Sequence, residues 1–384
     1  MSETPLSRDL FAVTSTYAYL NHAAVGVLPQ PTRAALHAFV DAHAAGGVMG
    51  TYPIEAKMPE YREAVARFIG AGGAEIAFLR NTGDGALALA GGLDWRPGDE
   101  VLLCDNEFPA NVQPWLALRD RGVNVRFVNA ERERLTPGVL RRHITARTRV
   151  VAVSWVSFAD GYRHDLASLG EVAHAAGALL CVDAIQGLGA FGLDVRACGI
   201  DALYCGGAKW MMALQGVSFL YVRENLIDRL RLAAPGWRSV ADMWDFLNYE
   251  QPPVAGAGRF EGGTPNFIGA LSLAESCGLL GGPSGRPIAE HVLALTDRLY
   301  DGLLACGAEV KTLRGDGCSS GIVTFVLPGT DPVALGKALA SEGIVTTYRP
   351  TGVRVSPHGY NTFDEIDRLL EVVGRARKER VCFP

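Results

Sequence analysis

The chain has 384 residues, 48% hydrophobic and 20% charged, with a formal net charge of −5. That length can fold as two units, each with its own core, and the absence of any basic block argues against nucleic acid as a partner. No apolar run is long enough to cross a bilayer as a helix, and residues 1–5 lack the basic and apolar stretches of a signal peptide, so no membrane partner is expected.

The eight cysteines include no CxxC pair, which suits reduced thiols in a cytoplasmic protein. In chain order, residues 21–29 read as a loop feeding a helix over 32–44, with Pro29 or Pro31 near its first turn. A helix is expected over 58–68 and a strand over 75–79. Strands and helices then alternate. Strands are expected at 101–104, 123–128, 150–156, 178–182, 202–205 and 218–222. Helices are expected at 86–92, 111–121, behind the Thr136-Pro137 cap, and at 165–176, stopped by Gly177. Near-continuous apolar strands between helices predict an α/β fold with a mostly parallel sheet covered on both faces. Ligands of such sheets sit at the carboxyl ends of the strands, and Asp183 and Lys209 follow two consecutive strands.

The Pro/Gly-rich run 251–258 marks the expected boundary. A large unit would span 21–255, and a smaller α+β unit 256–384 together with 1–20. In the second unit helices are expected at 268–280, 288–304 and 331–341, strands at 321–327 and 353–355, and a last helix opened by a Thr362/Glu365 capping box. Trp237, Met243 and Trp244, just before the boundary, read either as an apolar lining of a pocket or as helix packing.

Two motifs mislead. Gly187–Gly192 matches GxGxxG, but only eight residues separate it from Asp201, too few for the helix and strand of a dinucleotide fold. Gly317–Gly321 matches GxSxG, but an apolar strand follows it where a nucleophile elbow needs a helix. The histidines lack HxxxH or HExxH spacing, so no zinc site is expected.

Lys209 is unusual. The chain has five lysines against 31 arginines, and this one lies between small residues and the bulky Trp210-Met211-Met212. Burial would lower its pKa and free the amine as a nucleophile; alternatively its ammonium snorkels to water. A pyridoxal phosphate site needs such a lysine, an acid against the pyridine nitrogen, a phosphate cup and a flat group over the ring. Asp183 is placed for the acid, or is a turn aspartate. Gln186 would reach the phenolic oxygen.

Val182-Asp183-Ala184-Ile185-Gln186-Gly187, with Lys209 26 residues beyond the aspartate, resembles the class V aminotransferases of pyridoxal phosphate fold type I. That group includes cysteine desulfurases, kynureninase, isopenicillin N epimerase-like proteins and related C–S lyases. Residues 19–24, 106–111, 161–166, 260–266 and 354–362 are similar to further family segments, so the resemblance covers nearly the whole chain.

The resemblance implies a large domain with a seven-stranded type of sheet, a small C-terminal domain and pyridoxal 5′-phosphate as cofactor. Lys209 would carry the cofactor as an imine and move the Cα proton, Asp183 would face the pyridinium, and Gln186 the phenolic oxygen. Phe108, where many relatives have histidine, would stack on the ring or pack in the core. Thr82, Gly83 and Gly206 would cradle the phosphate. Thr264 would reach the phosphate from the other subunit of a homodimer. Arg354 would clamp the carboxylate of an amino acid substrate, with Arg349 a second candidate; His22 would line the pocket or pack in its loop.

Departures are Gly206 and Ala208, where serine and histidine are common, and Phe158, where many desulfurases have asparagine. No cysteine occurs in 343–354, where a desulfurase forms its persulfide, and on this ground cysteine desulfurase is disfavoured. The expected activity is transamination or β-eliminating C–S cleavage. Epimerisation or kynureninase-like hydrolysis are alternatives, and a non-catalytic cofactor-binding scaffold is the reading from another class.

Overall fold

The computed structural model describes residues 4–379 apart from 131, 284 and 316. It opens with a short strand, β1 (Ala18–Tyr19), and helices α1 (Gln30–Gly46), α2 (Val48–Ala56) and α3 (Met58–Phe68). The alternating section follows as β2 (Ile76–Leu79), α4 (Thr82–Gly92), β3 (Glu100–Cys104), α5 (Gln113–Leu116), β4 (Asn124–Val128) and α6 (Pro137–His143). It continues as β5 (Thr148–Ser154), α7 (Leu166–Ala175), β6 (Leu179–Asp183), β7 (Ala202–Gly206) and β8 (Ser218–Val222).

These strands form one seven-stranded sheet in the order β2-β8-β7-β6-β5-β3-β4. All run parallel except β8, which is antiparallel to both β7 and β2. An antiparallel neighbour can follow through a short loop, and residues 207–217 are that loop. Lys209 therefore sits directly beyond the carboxyl end of β7. Register aligns Ser154 with Asp183 and Asp183 with Tyr204, so β5, β6 and β7 end together. Because Gly206 and Leu79 both pair with Ser218, β2 ends at the same edge, and the N-terminus of α4 opens there. Helices cover both faces, with apolar cores on each side, as buried strands require.

The expected helix over 111–121 is broken. A 3₁₀ turn (Pro109–Asn111), α5 and a second 3₁₀ turn (Ala117–Arg121) replace it, because the segment carries prolines at 109 and 114 that fix φ and remove amide donors. Caps form where expected: Thr136 accepts from the Val139 amide at 3.3 Å, and Thr362 and Glu365 bond reciprocally at 3.0 and 3.3 Å.

After a four-residue helix, α8 (Glu224–Ile227), the chain forms α9 (Phe267–Leu280), α10 (Arg286–Ala305), β9 (Glu309–Val310), β10 (Val323–Val326) and α11 (Pro332–Ser341). It closes with β11 (Ile344–Val345), β12 (Thr347–Arg349), β13 (Gly352–Val355) and α12 (Phe363–Glu379). β12-β13-β10-β9 make an antiparallel sheet with its own core against α10, α11 and α12. β1 pairs with β11, so the N-terminal segment joins this smaller unit. One boundary moves. α9, which a division at residue 255 assigns to the small unit, packs Leu271, Leu273, Cys277 and Leu280 into the core of the large sheet. Its apolar residues surround the helix rather than marking one face, which is what a helix buried inside a larger core requires.

Neither decoy motif is built for the chemistry it mimics. Residues 187–192 are a turn, and 317–321 a loop running into β10. Trp237 and Trp244 lie in turns rather than on a helix. Among the described residues no helix is long and apolar enough to cross a membrane.

Candidate active site

The loop bearing Lys209 is held by close backbone packing. The Gly26 amide donates to Ala208 O at 2.7 Å, and a Cβ on Gly26 would stand 2.0 Å from Lys209 O. A Cβ on Gly189 would lie 2.2 Å from Trp210 O, and its φ is +102°, so the central glycine of the GxGxxG decoy serves to let the lysine loop pack. Met212, whose amide donates to Lys209 O at 2.9 Å, has φ +53°. A left-handed conformation in a non-glycine residue costs about 1–3 kcal/mol and persists where surrounding structure enforces it. Met212 is fully buried, which supplies that enforcement.

Burial is the largest influence on the Lys209 amine and lowers it to about 8; Asp183 opposes the shift and Arg354 adds to it. Asp183 is 2% exposed at the end of β6 and accepts from the Ile185 amide at 3.0 Å. Burial raises its carboxyl to about 7, opposed by the Ile185 bond and by Lys209 and reinforced by Glu107. Burial thus outweighs the mutual attraction of the pair at both ends. A buried acid in this condition is matched by a cation placed directly against it, as a protonated pyridine nitrogen would be.

Phe108 leaves 43% of its surface exposed. Lys209 Nζ lies 5.5 Å from its ring centroid, and Phe158 meets it edge-on at 5.2 Å. An open aromatic face beside the lysine is what a stacked ring needs. A buried network fixes its position. Glu107 accepts from the Ser154 amide at 2.7 Å, from the Ser154 hydroxyl, and from Asn111 Nδ2 at 2.9 Å; Tyr204 donates its hydroxyl to Asn111. Sequence reading gave Glu107 no role. Its signal was a carboxylate wedged between an apolar strand and an aromatic.

At the phosphate edge, Asn81 caps α4 by accepting from the Asp84 amide at 3.0 Å, which leaves the first-turn amides of Thr82 and Gly83 facing outward, as anion sites at helix N-termini do. Asp84 is drawn aside by Arg80 at 2.8 and 3.1 Å. A Cβ on Gly206 would approach Thr82 Oγ1 and Ile185 Cδ1 at 3.0 Å, so glycine keeps this cradle open. Ser218, opposite Gly206 in the sheet, has a buried hydroxyl with no partner among the described residues, a candidate that sequence reading passed over. This donor set fits a phosphate.

Gln186 is held by Trp210 Nε1, which donates to its carbonyl at 2.9 Å, and by its own donation to Ala23 O at 3.1 Å; one amide hydrogen remains for another acceptor. Arg354, on β13, donates to Phe158 O at 3.1 Å, and its buried Nε has no partner among the described residues. Burial, then Arg349, lowers its guanidinium to about 10. It lines a cavity of about 460 Å³ with Arg349, Phe158 and Asn106.

His22 is not a pocket residue in this geometry. It is fully buried, with Nδ1 against Ser356 O at 3.2 Å and Nε2 against the Tyr360 hydroxyl at 3.0 Å, so neither nitrogen is left for a substrate. Thr264 is exposed and lines a different cavity, beside Arg80 and Asp84. Among the described residues no cluster of His, Cys, Asp or Glu is arranged to hold a metal.

The family model described as Aminotransferase class-V matches residues 18–369. A probable cysteine desulfurase of Methanothermobacter thermautotrophicus is 32% identical, over 97% of this chain and 96% of the relative. The apo structure of a cysteine desulfurase from Thermococcus onnurineus superposes with a TM-score of 0.88 at 26% identity, covering 97% of both chains. A cystine C–S lyase in complex with cysteine persulfide superposes with a TM-score of 0.86 at 23% identity, covering 95% of this chain and 99% of that one, which speaks to the fold.

These relatives overturn the expectation that disfavoured cysteine desulfurase. That expectation rested on one missing thiol in 343–354. A thiol governs how sulfur is carried away, and its absence from one segment does not separate this chain from relatives that share nearly its whole length. The sheet order, the small C-terminal unit and the 18–369 match agree, and the chain belongs to the class V aminotransferases, pyridoxal 5′-phosphate enzymes of fold type I that act on amino acids as aminotransferases or C–S lyases.

Proposed function

We propose that this protein cleaves the Cβ–S bond of a sulfur-containing α-amino acid, with desulfurase and lyase outcomes as two fates of one broken bond. The observation that carries the reading is a buried Lys209 amine, lowered to about 8 with Arg354 adding to the shift, beside the open ring of Phe108 at 5.5 Å, while the buried Nε of Arg354 has no partner among the described residues. The sulfur specificity is supported by the relatives named above.

Pyridoxal phosphate, when bound, supplies an electron sink for negative charge developing at the substrate Cα. Arg354 receives the substrate carboxylate through its planar fork, which turns the Cα hydrogen toward the lysine side. Lys209 would take that proton at Nζ; an amine lowered to about 8 serves as a base close to neutrality. Asp183 would face the ring nitrogen of a bound cofactor and favour its protonated form. Phe108 would cover one ring face, held edge-on by Phe158 at 5.2 Å. Thr82, Gly83 and Gly206 would frame the phosphate, and Gln186 would offer its remaining amide hydrogen to the phenolic oxygen.

The same reading places the protein in the cytoplasm as a homodimer. Trp237, Trp244, Phe246, Leu247 and Tyr249 are all exposed, Leu247 and Tyr249 by 82% and 80%, an apolar surface that a second copy would cover. Thr264 is exposed and lines a cavity that does not include Lys209 of its own chain, which suits a residue that would serve a partner's phosphate. The seven described cysteines are unpaired.

The test is product analysis. Purified holoenzyme is given cysteine, cystine and non-sulfur amino acids, and sulfide or persulfide, pyruvate, alanine, keto acids and D-isomers are measured. Sulfur release from a sulfur amino acid is expected. Keto acid or D-isomer without sulfur release would replace the reading with transamination or epimerisation. A coloured protein unresponsive to every amino acid would favour a scaffold.

A further inference from the structure

Side chains alternate across a sheet, and the register of the small sheet collects cations on one face. Thr347 pairs with Arg354, and Arg354 with Thr324. Lys311 follows β9, and its amide donates to Thr324 O at 2.8 Å. Thr347, Arg354, Thr324 and Lys311 thus form one row, with Arg349 in the adjacent row opposite Gly352. Val323, Phe325, Val353 and Val355 point the other way into the small core.

This polar face lines the same cavity of about 460 Å³, whose far wall is built from Asn106, Arg134, Phe158 and Asp160. The lining carries four cations (Arg134, Lys311, Arg349 and Arg354) and one carboxylate, Asp160, which Arg134 already engages. Glu309, two residues before Lys311 in sequence, is not part of the lining. Lys311 Nζ donates to Thr351 O at 2.6 Å. Among the described residues neither Lys311, Arg349 nor Arg354 is ion-paired. Like charges brought together in a concave site raise the local positive potential and attract an anion.

Granting the reading above, Arg354 is committed to the α-carboxylate, and two cations remain. We propose that Lys311 and Arg349 form a second anion subsite, so that the preferred substrate is an amino acid whose side chain ends in its own anionic group. Lys311 and Arg354 are two strands apart, about 10 Å between backbones. Their side chains can converge on an end group several bonds beyond Cβ. A carboxylate, sulfinate or sulfonate presents the same chemistry to the subsite.

Calorimetric titration of the holoenzyme with glutarate and with pentanoate, equal in length and differing by one carboxylate, tests this without any reaction. Glutarate is expected to bind about tenfold tighter, with the difference shrinking as salt is raised. Lys311→Gln and Arg349→Gln should each reduce the preference, and Lys311→Glu should abolish or reverse it; Lys311 is exposed, so these changes leave the core intact. Equal affinities, no measurable glutarate binding, or a preference that survives both glutamine variants would overturn the subsite. The companion assay compares S-(2-carboxyethyl)cysteine with S-propylcysteine, and the first should have the higher kcat/KM. A glutarate preference without any C–S product would sink the proposed reaction and leave the subsite standing. Sulfonate analogues then rank the end groups.

Discussion

The two sheets that meet at this site are built on different terms. The carboxyl edge of the large sheet is closed: Asp183, Glu107, Gln186 and Ser154 are each at most 8% exposed, and Gly26 and Gly189 pack against the lysine loop closely enough that a Cβ would collide with it. The facing side of the small sheet is open. Arg349 and Lys311 are exposed, and the Nε of Arg354 has no partner among the described residues. The difference separates two tasks. A site that positions a permanent cofactor benefits from rigid support, while a site that admits and releases substrate keeps its charges unsatisfied until the ligand arrives.

Substitutions on the closed side should remove chemistry, and those on the open side should weaken substrate selectively. The largest effect is expected for Lys209→Ala, a loss of roughly 10³-fold or more in kcat together with the cofactor's visible band. Retained turnover in steady-state assays would refute the assignment. Next is Arg354→Ala, with about a 10- to 100-fold loss in kcat/KM confined to carboxylate substrates. If the corresponding amines suffer equally in the same assay, the clamp is wrong.

Gly26→Ala is smaller and probes the support alone. Forcing a Cβ against Lys209 O should cost about 1–3 kcal/mol of stability, read by chemical denaturation, and lower cofactor occupancy, with no substrate contact changed. The mildest effect is the pH dependence of cofactor capture. The neutral amine attacks, and Lys209 is lowered to about 8. The capture rate of apoprotein should rise with pH and level off above about 8, whereas an unperturbed lysine would keep rising toward 10.4. Stopped-flow absorbance distinguishes the two.

Legibility in the sequence followed the same division. Apolar strands are continuous and local, so the large sheet and the places of Asp183 and Lys209 at its edge could be read directly. What escaped depends on distant packing. α9 reads as the start of the second unit, because its apolar residues do not announce which core they enter. His22 sits in a loop segment whose burial is decided by Ser356 and Tyr360, more than 330 residues away in sequence. Glu107 became meaningful only once Ser154 and Asn111 closed around it. The row Thr347-Arg354-Thr324-Lys311 exists only through antiparallel register. The setting aside of cysteine desulfurase came from treating one absent residue type as decisive for a whole family.

The central claim is that Lys209 carries the cofactor. Borohydride reduction of the coloured protein, digestion and peptide mass spectrometry test it most directly. The account predicts one pyridoxyl adduct, on the peptide containing Lys209. An adduct on Lys57, Lys311, Lys337 or Lys378, or a protein that takes up no cofactor, would contradict it.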